Sequence, residues 1–337
     1  TLFRSSILIY IFMSYSIFLI SKHKGIDFNG LVYFCLLVVV LNSAIILIQV
    51  SLPGFRDFIE SFLVLSGNVD WTKGFRYRGL ASGGGASLSV LIPVAVVLAL
   101  YLYSEKNIGL LNLIVLTTIL LVSLFFIGRT GFLLLPIAFV FFVFFNLRKY
   151  FFKVLFFLLL SILLVFGFGD EVRSFVIEKY GVGFYNYSFG FFLGGVDGLK
   201  DEGTVSIIID FLKVMPTTFP EVLIGYGFYG GSDFYPWTDS GYSRMFLSVG
   251  YLFGFLFYFC FLFIFRSVIF RKKFIFITIG FILLVAEAKE PLLFTGYGSR
   301  VYIILLTFAL LEDKSAQIKN KINQYNYLKN NSYSKAL

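Results

Sequence analysis

Long apolar runs, broken at short intervals by polar and basic residues, set the rhythm of this sequence. A bilayer core about 30 Å thick is crossed by roughly 20 apolar residues in helical form. Nine segments approach that length, at about 3–20, 30–50, 87–103, 108–127, 131–147, 154–169, 244–265, 273–288 and 299–311. The last two are short, which fits a tilted or partly re-entrant path. The pattern predicts an all-α polytopic membrane protein with about nine transmembrane helices. Residues 1–311 then make up the membrane domain. Residues 312–337 form a polar tail rich in Asn and Lys, expected to be cytoplasmic and disordered.

Composition agrees with this. Of 337 residues, 58% are hydrophobic and 14% charged, more apolar surface than a soluble fold can bury. The lipid bilayer is therefore the first expected partner. The net charge of +9 does not imply nucleic-acid binding, because its distribution matters more than its size. Lys and Arg collect on the cytoplasmic side of membrane proteins. With Lys22 and Lys24 placed inside, alternation of the spans puts +11 inside and −2 outside. Thr1 falls outside and is not an initiator methionine, so at least one further N-terminal helix is expected. Three outer segments result, at 51–87, 170–243 and 289–300, of which the second is a large loop. Cys35 and Cys260 both lie in apolar runs and read as small buried hydrophobes.

Arg76, Arg78, Arg129, Arg244 and Arg300 fall on the outer side, against the charge bias. An anionic ligand at that face explains them, because the guanidinium fork matches phosphate oxygens. Arg76 and Arg78 precede Gly83-Gly84-Gly85 and a helix start, a composition suited to holding phosphate. Lys73 lies just before them. Arg129 sits in Gly128-Arg129-Thr130-Gly131, a link so short that its charge stays at the membrane edge, where a partner is expected. The large loop ends in Gly225-Tyr226-Gly227, then Asp233, Trp237, Asp239, Tyr242 and Arg244. Aromatic faces there suit sugars, and carboxylates suit hydroxyls. Glu287, Lys289 and Glu290 follow an otherwise uncharged helix and, with Arg300, imply a polar pocket. Each of these features also has a plainer reading as a snorkelling anchor, an aromatic belt or an internal ion pair.

The only histidine is His23, on the inner side, so an outer-face reaction has no histidine base. The sequence carries no Asp-x-Asp pair, Walker loop or dinucleotide fingerprint. ATP and nucleotide-sugar donors are therefore disfavoured, whereas a pre-activated lipid diphosphate would serve.

In the order and placement of these motifs the chain resembles the O-antigen polymerase family, which is related to the O-antigen ligases. The likeness is carried by Arg76 and Arg78 before a helix, Gly128-Arg129-Thr130-Gly131 at an outer hairpin, and Gly225-Tyr226-Gly227 leading to Asp239-Ser240-Gly241-Tyr242 and Gly250. The resemblance implies a multi-pass protein of the bacterial inner membrane with a large periplasmic loop. It implies a glycosyltransferase that polymerises undecaprenyl-diphosphate-linked oligosaccharide repeat units in lipopolysaccharide or related polysaccharide biosynthesis. A chain-length regulator and a flippase are the implied working partners, and neither a cofactor nor a metal is needed. The lack of an outer histidine argues against a ligase. A lipid-linked oligosaccharide flippase is the main rival from another class. On this reading Arg76, Arg78, Arg129, Arg244, Lys289 and Arg300 are the diphosphate-binding candidates. Asp239, followed by Glu290, is the candidate catalytic carboxylate, and Asp233, Trp237 and Tyr242 contact sugar.

Overall fold

A computed structural model describes residues 2–52, 54–63, 76–185, 209–210, 212–227, 238–264 and 266–334. Among them the regular structure is helical: α1 (Leu2–His23), α2 (Phe28–Ser51), α3 (Phe55–Phe62), α4 (Ala86–Ser104), α5 (Leu110–Ile127), α6 (Thr130–Tyr185), α7 (Phe219–Ile224), α8 (Gly241–Ile264), α9 (Arg266–Arg271), α10 (Lys273–Glu287), α11 (Leu292–Thr295) and α12 (Tyr297–Ser334). Four helical stretches among the described residues are long and apolar enough to cross a membrane: α2, α4, α5 and Gly241–Cys260 of α8. The first part of α6, Thr130–Asn146, is a shorter apolar helix.

The bundle is built around α4. Every residue from Leu88 to Leu102 is buried. A helix that is apolar on all sides needs neighbours on all sides, and α2, α5, α6, α10 and α12 supply them. Outward-facing Phe12, Leu41, Leu111, Phe144 and Phe259 are exposed, as lipid-facing side chains would be. Small residues bring the top of α4 close to the α5–α6 link. Gly128 packs on the Ser89 side chain, and Gly131 packs on the Ser89 carbonyl, which a Cβ at that position would overlap.

Kinks at Asn146, Gly181 and Gly250 shape the chain around this core. The runs 131–147 and 154–169, expected as separate spans, are two helices that meet at Asn146 (φ −122°, ψ 18°) and are numbered together as α6. The second half of α6 returns to the end at which the first began. Its Phe184 ring stacks on Phe126, near the C-terminus of α5, at 5.3 Å. The kink in α8 is at Gly250 (φ 75°, ψ 172°), a conformation open almost only to glycine. Backbone carbonyls freed by a kink at membrane depth need new donors. The segment after α7 provides them: Tyr226 N–H donates to the Leu247 carbonyl (2.7 Å) and Gly227 N–H to that of Ser248 (2.9 Å). Gly225 packs backbone to backbone on Ser248–Gly250, and Gly250 itself packs on the Leu223 carbonyl. Gly250→Ala should therefore cost at least about 2 kcal/mol, from a disallowed dihedral together with steric overlap. Thermal unfolding in detergent measures it, and an unchanged midpoint would remove the clip from the account.

Past Glu312, α12 continues to Ser334. The sequence after Gly298 holds neither Gly nor Pro to stop a helix. Side-chain links also anchor α12 just past Glu312. Arg271 pairs with Asp313 at 2.9 Å, and Lys22 Nζ donates to Ser315 Oγ at 3.0 Å.

Candidate functional site

Four separate pieces of chain bring charge to one end of the bundle. The segment entering α4 brings Arg76, the α5–α6 link brings Arg129, and the start of α8 brings Asp239 and Arg244. The turn between α10 and α11 brings Lys289 and Glu290. Each position is fixed locally. Tyr77 N–H donates to the Phe126 carbonyl at 2.8 Å, tying the Arg76 segment to the end of α5. The Arg76 guanidinium lies beside Gly85, where a side chain would approach it. Thr130, next to Arg129, accepts a 2.8 Å hydrogen bond from Lys289 Nζ, which joins the α5–α6 link to the α10–α11 turn. Arg244 donates through Nε to the Thr238 carbonyl at 2.7 Å and through Nη2 to Asp239 at 3.0 Å.

These groups lie close enough to alter one another's protonation. Burial pushes the Lys289 ammonium down from its ordinary value. The neighbouring charges of Arg76 and Arg129 push the same way, while Glu290 and Asp239 oppose. Burial likewise raises Glu290. Lys289, Arg244 and Arg76 resist that shift, and the Asp239 charge adds to it. The cluster thus holds four cations and two carboxylates, an excess of positive charge at a partly desolvated site. Such an excess favours an anion carrying more than one charge.

Glu287 holds the ends together. It is almost fully buried, at 2% exposure. Its Oε2 accepts the Leu293 N–H at 2.6 Å, and Gly241 at the start of α8 packs directly on its carboxylate, leaving no room for a Cβ. It fixes the α10–α11 turn against α8, the two pieces that carry Lys289, Glu290, Asp239 and Arg244. The sequence signal was a lone acid ending a helix that is uncharged after Lys273; nothing in the sequence revealed the glycine seated on it.

Other expected site residues lie differently. Arg78 is buried at 4% exposure and turns into its own loop, with Nη1 donating to the Ser82 carbonyl at 3.3 Å. Arg300 is exposed and rests on the rings of Tyr297 (5.0 Å) and Tyr10 (5.4 Å). The glycines before α4 are used in packing: Gly83 N–H donates to the Tyr297 hydroxyl at 3.0 Å, and Gly79 N–H to Gln49 at 3.2 Å. Tyr242, expected to contact sugar, instead ties α8 to α10. Its hydroxyl donates to the Leu284 carbonyl at 2.7 Å and its ring packs on Tyr258. Tyr242→Phe should therefore cost only about 0.5–1.5 kcal/mol in thermal stability and leave the charge cluster intact. Asp233, Trp237 and Lys73 lie outside the described residues. Among the described residues no group of His, Cys, Asp and Glu is arranged to hold a metal ion.

Comparison with protein-family models, with curated proteins and with solved structures finds no match to this chain.

Proposed function

We propose that the protein is a membrane glycosyltransferase that polymerises polyprenyl-diphosphate-linked oligosaccharide units at the outer face of the bacterial inner membrane. The observation that carries this reading is the meeting of Arg76, Arg129, Arg244 and Lys289 with Asp239 and Glu290 at one end of an apolar bundle. These residues come from distant parts of the sequence, and chance snorkelling would not bring them together. The resemblance to the O-antigen polymerases supports the same activity, with the nine-span topology and the large periplasmic loop belonging to it.

In this mechanism Arg129, Arg76 and Lys289 hold the donor diphosphate. The acceptor hydroxyl oxygen attacks the anomeric carbon of the donor sugar, and its proton passes to a carboxylate. The anomeric carbon–oxygen bond breaks, and its electron pair leaves with the diphosphate. Fixed cations help most at that stage, because negative charge grows on the leaving oxygen. Glu290 is the better base of the two acids. Burial raises its basicity, whereas Asp239 is engaged by Arg244 and orients the acceptor instead.

The test is reconstitution into liposomes with undecaprenyl-diphosphate-linked repeat units. A ladder of products, with one polyprenyl diphosphate released per linkage, is expected. Transfer of units across the bilayer without joining would identify a flippase and overturn the proposal. The location of the charges favours the enzyme, since transport sites sit near the bilayer midplane and these charges lie at the ends of the helices. Arg300→Ala is a useful control. With its guanidinium on two tyrosine rings, its loss should change the polymerisation rate less than about threefold, as for a surface contact.

A further inference from the structure

The short helix α3 separates its side chains completely by polarity. Phe55, Phe58, Ile59 and Phe62 share one arc of its surface, and Arg56, Asp57, Glu60 and Ser61 occupy the rest. Phe58 and Phe62 are exposed, at 56% and 73%. Their rings meet edge to face at 5.0 Å, and Phe55 stacks on Phe58 at 6.1 Å. The apolar arc is thus a continuous aromatic ridge. The polar arc divides in two. Arg56 and Glu60 pair at 3.1 Å and are mostly covered, and the Arg56 guanidinium rests 5.0 Å over the Tyr77 ring. Asp57 and Ser61 are exposed. One face of α3 therefore lies on the protein, a second is polar and open, and the third is aromatic and open.

The chain delivers this helix to a lipid-facing surface. α2, long and apolar enough to cross a membrane, ends at Ser51, and α3 starts at Phe55 after Gly54 turns the chain (φ 80°). Along α2 the exposed side chains Val38, Leu41 and Ile48 form one apolar stripe, which Leu52 extends toward α3. The aromatic ridge follows on from that stripe. Charges at Arg56, Asp57 and Glu60 exclude a place wholly inside hydrocarbon. Exposed phenylalanines beside a lipid-facing stripe are equally unsuited to bulk water. A helix with one apolar and one polar open face is stable in the plane of the lipid–water boundary.

We propose that α3 lies in that boundary, with Phe58 and Phe62 inserted among the lipid chains of the leaflet bordering the charge cluster. Its contact with Tyr77 sets the end of the bundle: Tyr77 follows Arg76, and its N–H is held by the Phe126 carbonyl at 2.8 Å. Through Arg56 the helix ties the Arg76 segment to the membrane surface. This inference needs only that α2 crosses a bilayer and does not depend on the transferase reading.

Spin labelling tests it. Phe58→Cys and Phe62→Cys, with Asp57→Cys and Ser61→Cys as controls, are made one at a time in the full chain carrying Cys35→Ala and Cys260→Ala. All four labelled positions are exposed, so a nitroxide leaves the packing in place. The labelled proteins are reconstituted into vesicles of dioleoyl phosphatidylcholine and dioleoyl phosphatidylglycerol. Power saturation then compares relaxation by oxygen, which concentrates in lipid, with relaxation by a nickel chelate that stays in water. At 58 and 62 oxygen should dominate and the nickel effect should be lost; at 57 and 61 the order should reverse. Nickel dominance at 58 and 62 would put the ridge in water. Access by neither agent would mean that protein covers it, and oxygen dominance at all four positions would sink the whole helix in hydrocarbon. Any of these results would overturn the proposal.

Discussion

Arg129→Ala is expected to slow polymerisation by about 10²–10³-fold, the usual cost of removing one fixed donor from a site where negative charge develops. Cells carrying the variant should accumulate single repeat units on the lipid anchor and lose long chains, with membrane levels of the protein unchanged. The size of the effect follows from how firmly Arg129 is placed. On either side of it, Gly128 and Gly131 press against Ser89 of the central helix, and Thr130 is bonded to Lys289. The link cannot relax to let another side chain take over. Arg129→Lys keeps the charge but loses the planar fork, so an intermediate rate is expected, about 10-fold above the alanine variant. Long chains at wild-type abundance in Arg129→Ala would sink the diphosphate clamp. Complete loss of surface units, with no single units on the anchor, would point to a flippase or ligase.

The helices were legible because the bilayer sets their length, and the apolar runs show where it is crossed. Helix ends found in the structure fall close to the ends of those runs, as with α2, α4 and α5. What the runs could not reveal was whether two of them meet with no loop between them, as at Asn146, or whether one is broken, as at Gly250. Both depend on which backbone groups find partners elsewhere, and the partners of α8 lie more than 20 residues upstream at Tyr226 and Gly227. The helical continuation of α12 depends similarly on anchors from α1 and α9. At the site, charge placed against the orientation bias identified Arg76, Arg129 and Arg244. The same signal marked Arg78 and Arg300 equally, because a buried loop contact and a ring stack leave the same trace in sequence. For Tyr242 the sequence did not reveal that its hydroxyl donates to the Leu284 carbonyl of a neighbouring helix.

Glu290→Gln should lower the rate by about 10²–10⁴-fold, the range for loss of a general base, and the pH profile should identify the residue. A base works only when ionised, so activity falls as pH drops through its pKa. Burial places the Glu290 pKa above the ordinary glutamate value of about 4.3. Wild-type activity should therefore fail on acidification earlier than a solvent-exposed carboxylate would allow. Two substitutions move this limb in opposite directions. Lys289→Met removes the cation that opposes the shift most, so the limb moves to higher pH. Asp239→Asn removes a repelling charge, so the limb moves to lower pH even though the rate itself declines. Stability has the opposite sign. With its folded pKa raised above the unfolded one, Glu290 supports the fold below the unfolded pKa, and that support is lost as pH rises through the folded pKa. In Glu290→Gln the corresponding loss of thermal stability with rising pH should vanish along with the acid limb of activity. If the limb persists unchanged in Glu290→Gln, the proton is going to another group, and Asp239 is the one to replace next.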